Sequence, residues 1–75
     1  MDAVSVGNTI SSLRKKMGIT QTELAAKLNV SHKTISKWEN GQGFPKVTQF
    51  PVLAEFFKVS VDFLILKFAI KRLSL

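Results

Sequence analysis

The stretch Thr20-Gln21-Thr22-Glu23-Leu24-Ala25-Ala26-Lys27-Leu28-Asn29-Val30-Ser31-His32-Lys33-Thr34-Ile35-Ser36-Lys37-Trp38-Glu39-Asn40-Gly41 holds two helix starts and two helix stops in close succession. Thr20 and Glu23 stand three apart, as a capping box requires: each side chain reaches the other residue's backbone amide. The helix they open turns Leu24, Ala25 and Leu28 inward and ends at Asn29, a residue that tolerates left-handed backbone. Ser31 is the next N-cap, and Gly41, Gly43 and Pro45 close the helix that follows. Two short helices joined this tightly cross steeply, so a small residue is needed where they touch; Ala25 supplies it. Leu24, Leu28, Val30, Ile35 and Trp38 then form the wedge beneath the turn, with Trp38 in the core. Ser31, His32, Lys33 and Lys37 project to solvent, on an element of the size that enters the DNA major groove.

Upstream, Val6, Ile10, Leu13 and Met17 are spaced four, three and four apart, one stripe of a first helix stopped by Gly18. Arg14, Lys15 and Lys16 occupy its last turn, where positive charge suits the helix dipole. Downstream, residues 46–50 read as a loop or single turn. Pro51 fits the first turn of a fourth helix that buries Leu53 and Phe56 or Phe57, with Val52 a further candidate. Ser60-Val61-Asp62 opens a fifth, with Phe63, Leu64 and Leu66 inside. The expected fold is all-α, a compact bundle of five short helices over residues 1–66. Residues 67–75 form an amphipathic tail, with Phe68, Ala69, Ile70 and Leu73 set against Lys67, Lys71 and Arg72; this tail is a candidate dimer contact.

Seventy-five residues allow one domain with a small core, which self-association would support. Eleven Lys and Arg against five Asp and Glu give a net charge of +6, which favours a polyanionic partner. Arg14, Lys15, Lys16, Lys27, Lys33 and Lys37 face only Glu23 in their half of the chain. With no cysteine there is neither a disulfide framework nor a thiolate metal site, a composition that fits the cytoplasm. Residues 1–10 lack the pattern of a signal peptide. The apolar run 63–66 is far short of the roughly 20 residues of a membrane span. His32 is the one histidine, no nucleophile stands at motif spacing from a base, and Gly41-Gln42-Gly43 is a helix stop rather than a phosphate loop. No enzyme, cofactor, metal or small-molecule substrate is expected. The six phenylalanines read as core, not as a stacking platform for single strands.

Leu13-Arg14-Lys15-Lys16-Met17-Gly18-Ile19-Thr20-Gln21, Glu23-Leu24-Ala25 and Ile35-Ser36-Lys37-Trp38-Glu39-Asn40-Gly41, followed by Pro45 and the run from Leu53 to Asp62, closely resemble lambda-repressor-like (Cro/cI, XRE-type) DNA-binding domains. The resemblance covers roughly residues 6–66. It implies that Gln21 begins the second helix, contacts a DNA phosphate and braces the recognition helix. It places Ser31, His32, Lys33 and Lys37 toward the groove, Thr34 and Asn40 on the sugar-phosphate backbone, and Arg14 and Glu39 in a charged pair tying helix one to the end of helix three. Each lysine can serve a guanine edge or a phosphate. Asn29 and Lys58 stand where this family commonly has glycine, and the end of the fourth helix is therefore expected to be capped differently. The function implied is a transcriptional repressor of double-stranded DNA, a homodimer on half-sites about 34 Å apart. Two rivals follow from the tail: a protein-interaction module of the antitoxin or adaptor kind, and a membrane-surface binder.

Overall fold

Asp2 opens the first helix, α1 (Ala3–Lys16): its carboxylate accepts the Ser5 amide at 2.8 Å. Four more helices follow, α2 (Gln21–Leu28), α3 (His32–Glu39), α4 (Phe50–Phe57) and α5 (Val61–Ala69). A 3₁₀ turn at Val47–Gln49 leads directly into α4. This computed structural model describes residues 2–69, and among the described residues there is no strand.

The helix starts are those the side chains dictate. Thr20 and Glu23 exchange both bonds of the capping box, at 3.1 and 2.8 Å. Ser31 Oγ accepts the Thr34 amide at 3.2 Å, and Ser60 Oγ accepts the Phe63 amide at 2.9 Å. The first four helices share one ending. After each, a residue turns left-handed: Gly18 at φ +70°, Asn29 at +56°, Gly41 at +75° and Lys58 at +60°. In every case the next amide reaches back to a carbonyl five residues earlier, as Ile19 does to Arg14, Val30 to Ala25, Gln42 to Lys37 and Val59 to Ala54. This is the Schellman arrangement. The end of α4 is therefore not capped differently from the others; Lys58 adopts the glycine conformation.

Val6 and Ile10 of α1, Leu24, Ala25 and Leu28 of α2, and Ile35 and Trp38 of α3 are buried together. Phe50, Leu53, Ala54 and Phe57 of α4 close the core from the other side, with Leu64 and Phe68 of α5. The structure corrects the sequence reading at Met17 and in the facing of α5, and it decides between the alternatives left open in α4. Met17 is 40% exposed because it lies beyond the last turn of α1. In α4 the inward aromatic positions are Phe50 and Phe57; Phe56 is half-buried and Val52 exposed. In α5 the buried positions are Leu64 and Phe68, four apart, which turns Phe63 and Leu66 to solvent. α5 runs on through Ala69, and Phe68 is fully buried with its ring edge-on to Phe50, centroids 5.4 Å apart. Residues 70–75 of the expected tail lie outside the described residues.

Packing aims α3. It lies against α1 and α2, while α5 lies against α1 and α4. Gly7 sits where α1 meets the end of α3: a Cβ there would run into the Trp38 carbonyl oxygen and come within 3.1 Å of the Glu39 carbonyl. Only a residue without a side chain allows that approach.

Candidate nucleic-acid interface

With Ile35 fully buried and Trp38 nearly so, the opposite side of α3 is turned to solvent. Helical geometry sets Lys33 and Lys37 one turn apart at the middle of that side; both are exposed, as are Ser31 and His32. Among the described residues neither lysine has an ion-pair partner. Ser31 is engaged in its cap, and its hydroxyl also lies 3.1 Å from the Thr34 hydroxyl, which leaves Thr34 half-buried. Asn40 is exposed just past α3, with Nδ2 3.5 Å from Ser36 Oγ.

The crossing of α2 and α3 depends on Ala25, 3% exposed, and on the left-handed turn at Asn29 that reverses the chain within three residues. Val30, half-buried, plugs the turn from below.

A polar cluster fixes the far end of α3. Arg14 donates from Nε to Glu39 Oε2 at 2.7 Å and from Nη2 to Oε1 at 3.0 Å, a forked pair. Its Nη1 donates to the Ile19 carbonyl at 2.8 Å, and Gln21 Nε2 donates to Glu39 Oε1 at 3.0 Å. One carboxylate thus joins α1, the start of α2 and the end of α3. The two side chains of the pair are only 12% and 7% exposed, too buried to count as a weak surface bridge. Burial pushes the Glu39 carboxyl upward, yet hydrogen bonds from Arg14, Gln21 and Ser11 and the Arg14 charge outweigh it, holding the carboxyl below the usual range. The Glu39 hydrogen bond in turn raises the Arg14 guanidinium, against the opposing effect of burial.

The arrangement has an electrostatic consequence. Glu23 is occupied by the Thr20 amide and Glu39 by Arg14 and Gln21. The two carboxylates of the helix pair are therefore turned to structure, and the outer side of α3 is left to its lysines. Gln21 spends one amide hydrogen-bond donor on Glu39, so bracing α3 is the contact it makes within the protein. One participant was missed in the sequence. Gly7 did leave a signal: a lone glycine inside a helical pattern marks close backbone approach. Among the described residues no three His, Asp or Glu side chains gather as metal ligands.

Two short helices crossing over a tight turn, the second presenting an unpaired basic side, define a helix-turn-helix domain. The Cro/cI-type (XRE) helix-turn-helix family model matches residues 10–64, and the chain belongs to that family. It is similar to the HTH-type transcriptional activator BcrR of Enterococcus faecalis, 40% identical over 53 residues, or 71% of this chain and 26% of BcrR. It is also similar to the HTH-type transcriptional regulator ImmR of Bacillus subtilis (strain 168), 32% identical over 62 residues, 83% of this chain and 49% of ImmR. The chain thus spans about a quarter and about half of those two relatives. Two structures of the clp gene regulator ClgR from Corynebacterium glutamicum share the fold, with TM-scores of 0.79 and 0.76. Both are 24% identical and cover 89% of this chain, and 71% and 87% of their own.

Proposed function

We propose that this domain binds duplex DNA selectively by seating α3 in the major groove, and that it regulates transcription in the cytoplasm without catalysis. The observation that carries this reading is the outer side of α3, where Ser31, His32, Lys33 and Lys37 stand exposed while the neighbouring carboxylates are engaged elsewhere. In this reading those four side chains meet base edges, and Thr34, Asn40 and Gln21 meet the sugar-phosphate backbone. Phosphate contacts supply affinity and salt dependence; base contacts supply selectivity.

Repression is the outcome we favour, because occupancy of a promoter excludes polymerase with no further contact. BcrR is named an activator, and activation would require an additional surface for polymerase. We further propose a homodimer, which pairs two copies of α3 with two half-sites one helical turn apart. No helix among the described residues is long and apolar enough to cross a membrane.

Fluorescence anisotropy on a duplex selected from random sequence tests the reading. Lys33→Ala should narrow the gap between selected and random duplex by about 1 kcal/mol or more if Lys33 reads a base. If it holds a phosphate instead, the salt dependence should fall by about one unit of slope. The same pair of readouts applies to Lys37→Ala. Selectivity and salt slope unchanged in both variants would remove α3 from the interface.

A further inference from the structure

We propose that the groove between α1 and α5 is a binding site for a small aromatic carboxylate. The site is built by those two helices alone and does not depend on the DNA-binding reading.

Short polar side chains open the groove. Where α5 presents Phe63 and Lys67, α1 presents Asn8, Thr9 and Ser12, too short to fill the space between the helices. A groove of about 380 Å³ results, within the roughly 300–1,000 Å³ of small-molecule sites. Its apolar surface comes from Leu13, half-buried against the core, and from Phe63, 37% exposed.

The charge of the groove has one sign. Lys16 and Lys67 line it, and among the described residues no carboxylate does. Neither lysine has an ion-pair partner among the described residues. Lys67 Nζ lies 5.7 Å from the Phe63 ring centre, so a cation already stands beside the aromatic wall. Asn8, Ser12 and Lys16 recur at intervals of four, one row along α1. The Thr9 hydroxyl donates to the Ser5 carbonyl at 2.9 Å, whereas no hydrogen bond among the described residues engages the side chain of Asn8 or Ser12.

An anion carried on a flat apolar body matches each of these features. Its ring covers Phe63 and Leu13, its charge offsets the lysines, and its oxygens accept hydrogen bonds from them and from Asn8 or Ser12. Phosphate sites draw on free backbone amides or an arginine fork. Here the α1 residues lie past its first turn, and the Phe63 amide is taken by Ser60 Oγ. A carboxylate is therefore the better fit.

Titration of the isotope-labelled full chain with 2-naphthoate tests the site by NMR, in about 0.15 M salt to screen bulk attraction. A ligand of about 13 non-hydrogen atoms, bound with the efficiency of ordinary drug-sized compounds, has a Kd of about 1 mM. Amide shifts should saturate at that level and concentrate in residues 8–16 and 63–67. The neutral 2-naphthalenemethanol should bind about fivefold more weakly, and Lys16→Gln and Lys67→Gln should each weaken 2-naphthoate about threefold. Ser12→Leu fills the groove from an exposed position; it should weaken binding at least about tenfold and keep the helical circular dichroism. Absence of saturation would overturn the proposal, as would equal affinity for the alcohol, shifts centred on α3, or a Ser12→Leu chain that binds like the parent. Binding of 2-naphthyl phosphate more than about tenfold tighter than 2-naphthoate would also overturn it, by marking a phosphate site.

Discussion

Gly7 illustrates how a single residue sets the placement of α3 against α1. In mid-helix, alanine is favoured over glycine by about 1 kcal/mol, so propensity alone argues for a methyl group there. The methyl would meet the Trp38 carbonyl oxygen, a backbone atom held in α3 that cannot swing aside. Forcing such a group into a packed contact costs about 1–3 kcal/mol or more, so the clash outweighs the gain. We expect Gly7→Ala to lose about 1–2 kcal/mol net in urea denaturation; a more stable variant would mean that α1 and α3 do not touch there. The glycine was legible as an oddity in the periodic pattern, but not its partner, because nothing local says which backbone approaches. The Gln21 contact with Glu39 is 18 positions long, a distance no local pattern spans.

The elements were the most readable level, since their signals are short-range. The capping box at Thr20 and Glu23, the Ser31 and Ser60 caps, and the stops at Gly18, Asn29 and Gly41 all lie where side-chain chemistry placed them. What failed was the facing of α5. Phe63, Leu64 and Leu66 are all apolar, and hydrophobicity could not rank them; the buried pair is decided by Phe68, whose ring completes the contact with Phe50. Lys58 offers the test at this scale. A lysine at φ +60° bears a steric cost of about 1 kcal/mol that glycine avoids, partly offset by the extra freedom glycine has when unfolded. Lys58→Gly should therefore raise stability by about 0.5 kcal/mol, read as a higher melting temperature. Asn29→Gly should give less, because Asn already tolerates this backbone. Equal melting temperatures for Lys58→Gly and Lys58→Ala would show that the left-handed turn costs nothing.

At the scale of the molecule, stability should respond to acid through Glu39. Its carboxyl is held below the usual range in the fold, so the unfolded chain takes up the proton first. The contribution is complete above about pH 4.3, the ordinary value for a glutamate, and disappears as pH falls through the lower folded value. Glu39→Gln should lose about 2–3 kcal/mol near pH 7, less than the roughly 3–5 kcal/mol of a fully buried broken pair, because Arg14 keeps its bond to Ile19 and some access to water. The gap between parent and variant should narrow as pH falls below about 4.3 and close only below the lower folded value; a gap independent of pH would mean that the pair contributes packing alone. The class of fold and the outward side of α3 were legible in residues 20–41, whereas the three-way junction at Glu39 depends on distances no spacing rule supplies. That junction also reaches past stability. Held by Gly7 and Glu39 at one end and by the Ser31 cap at the other, α3 has little slack to accommodate an imperfect site. On the proposed DNA-binding reading, the cost of misfit passes to the duplex, and base steps that bend or twist easily should be favoured even where no side chain touches them.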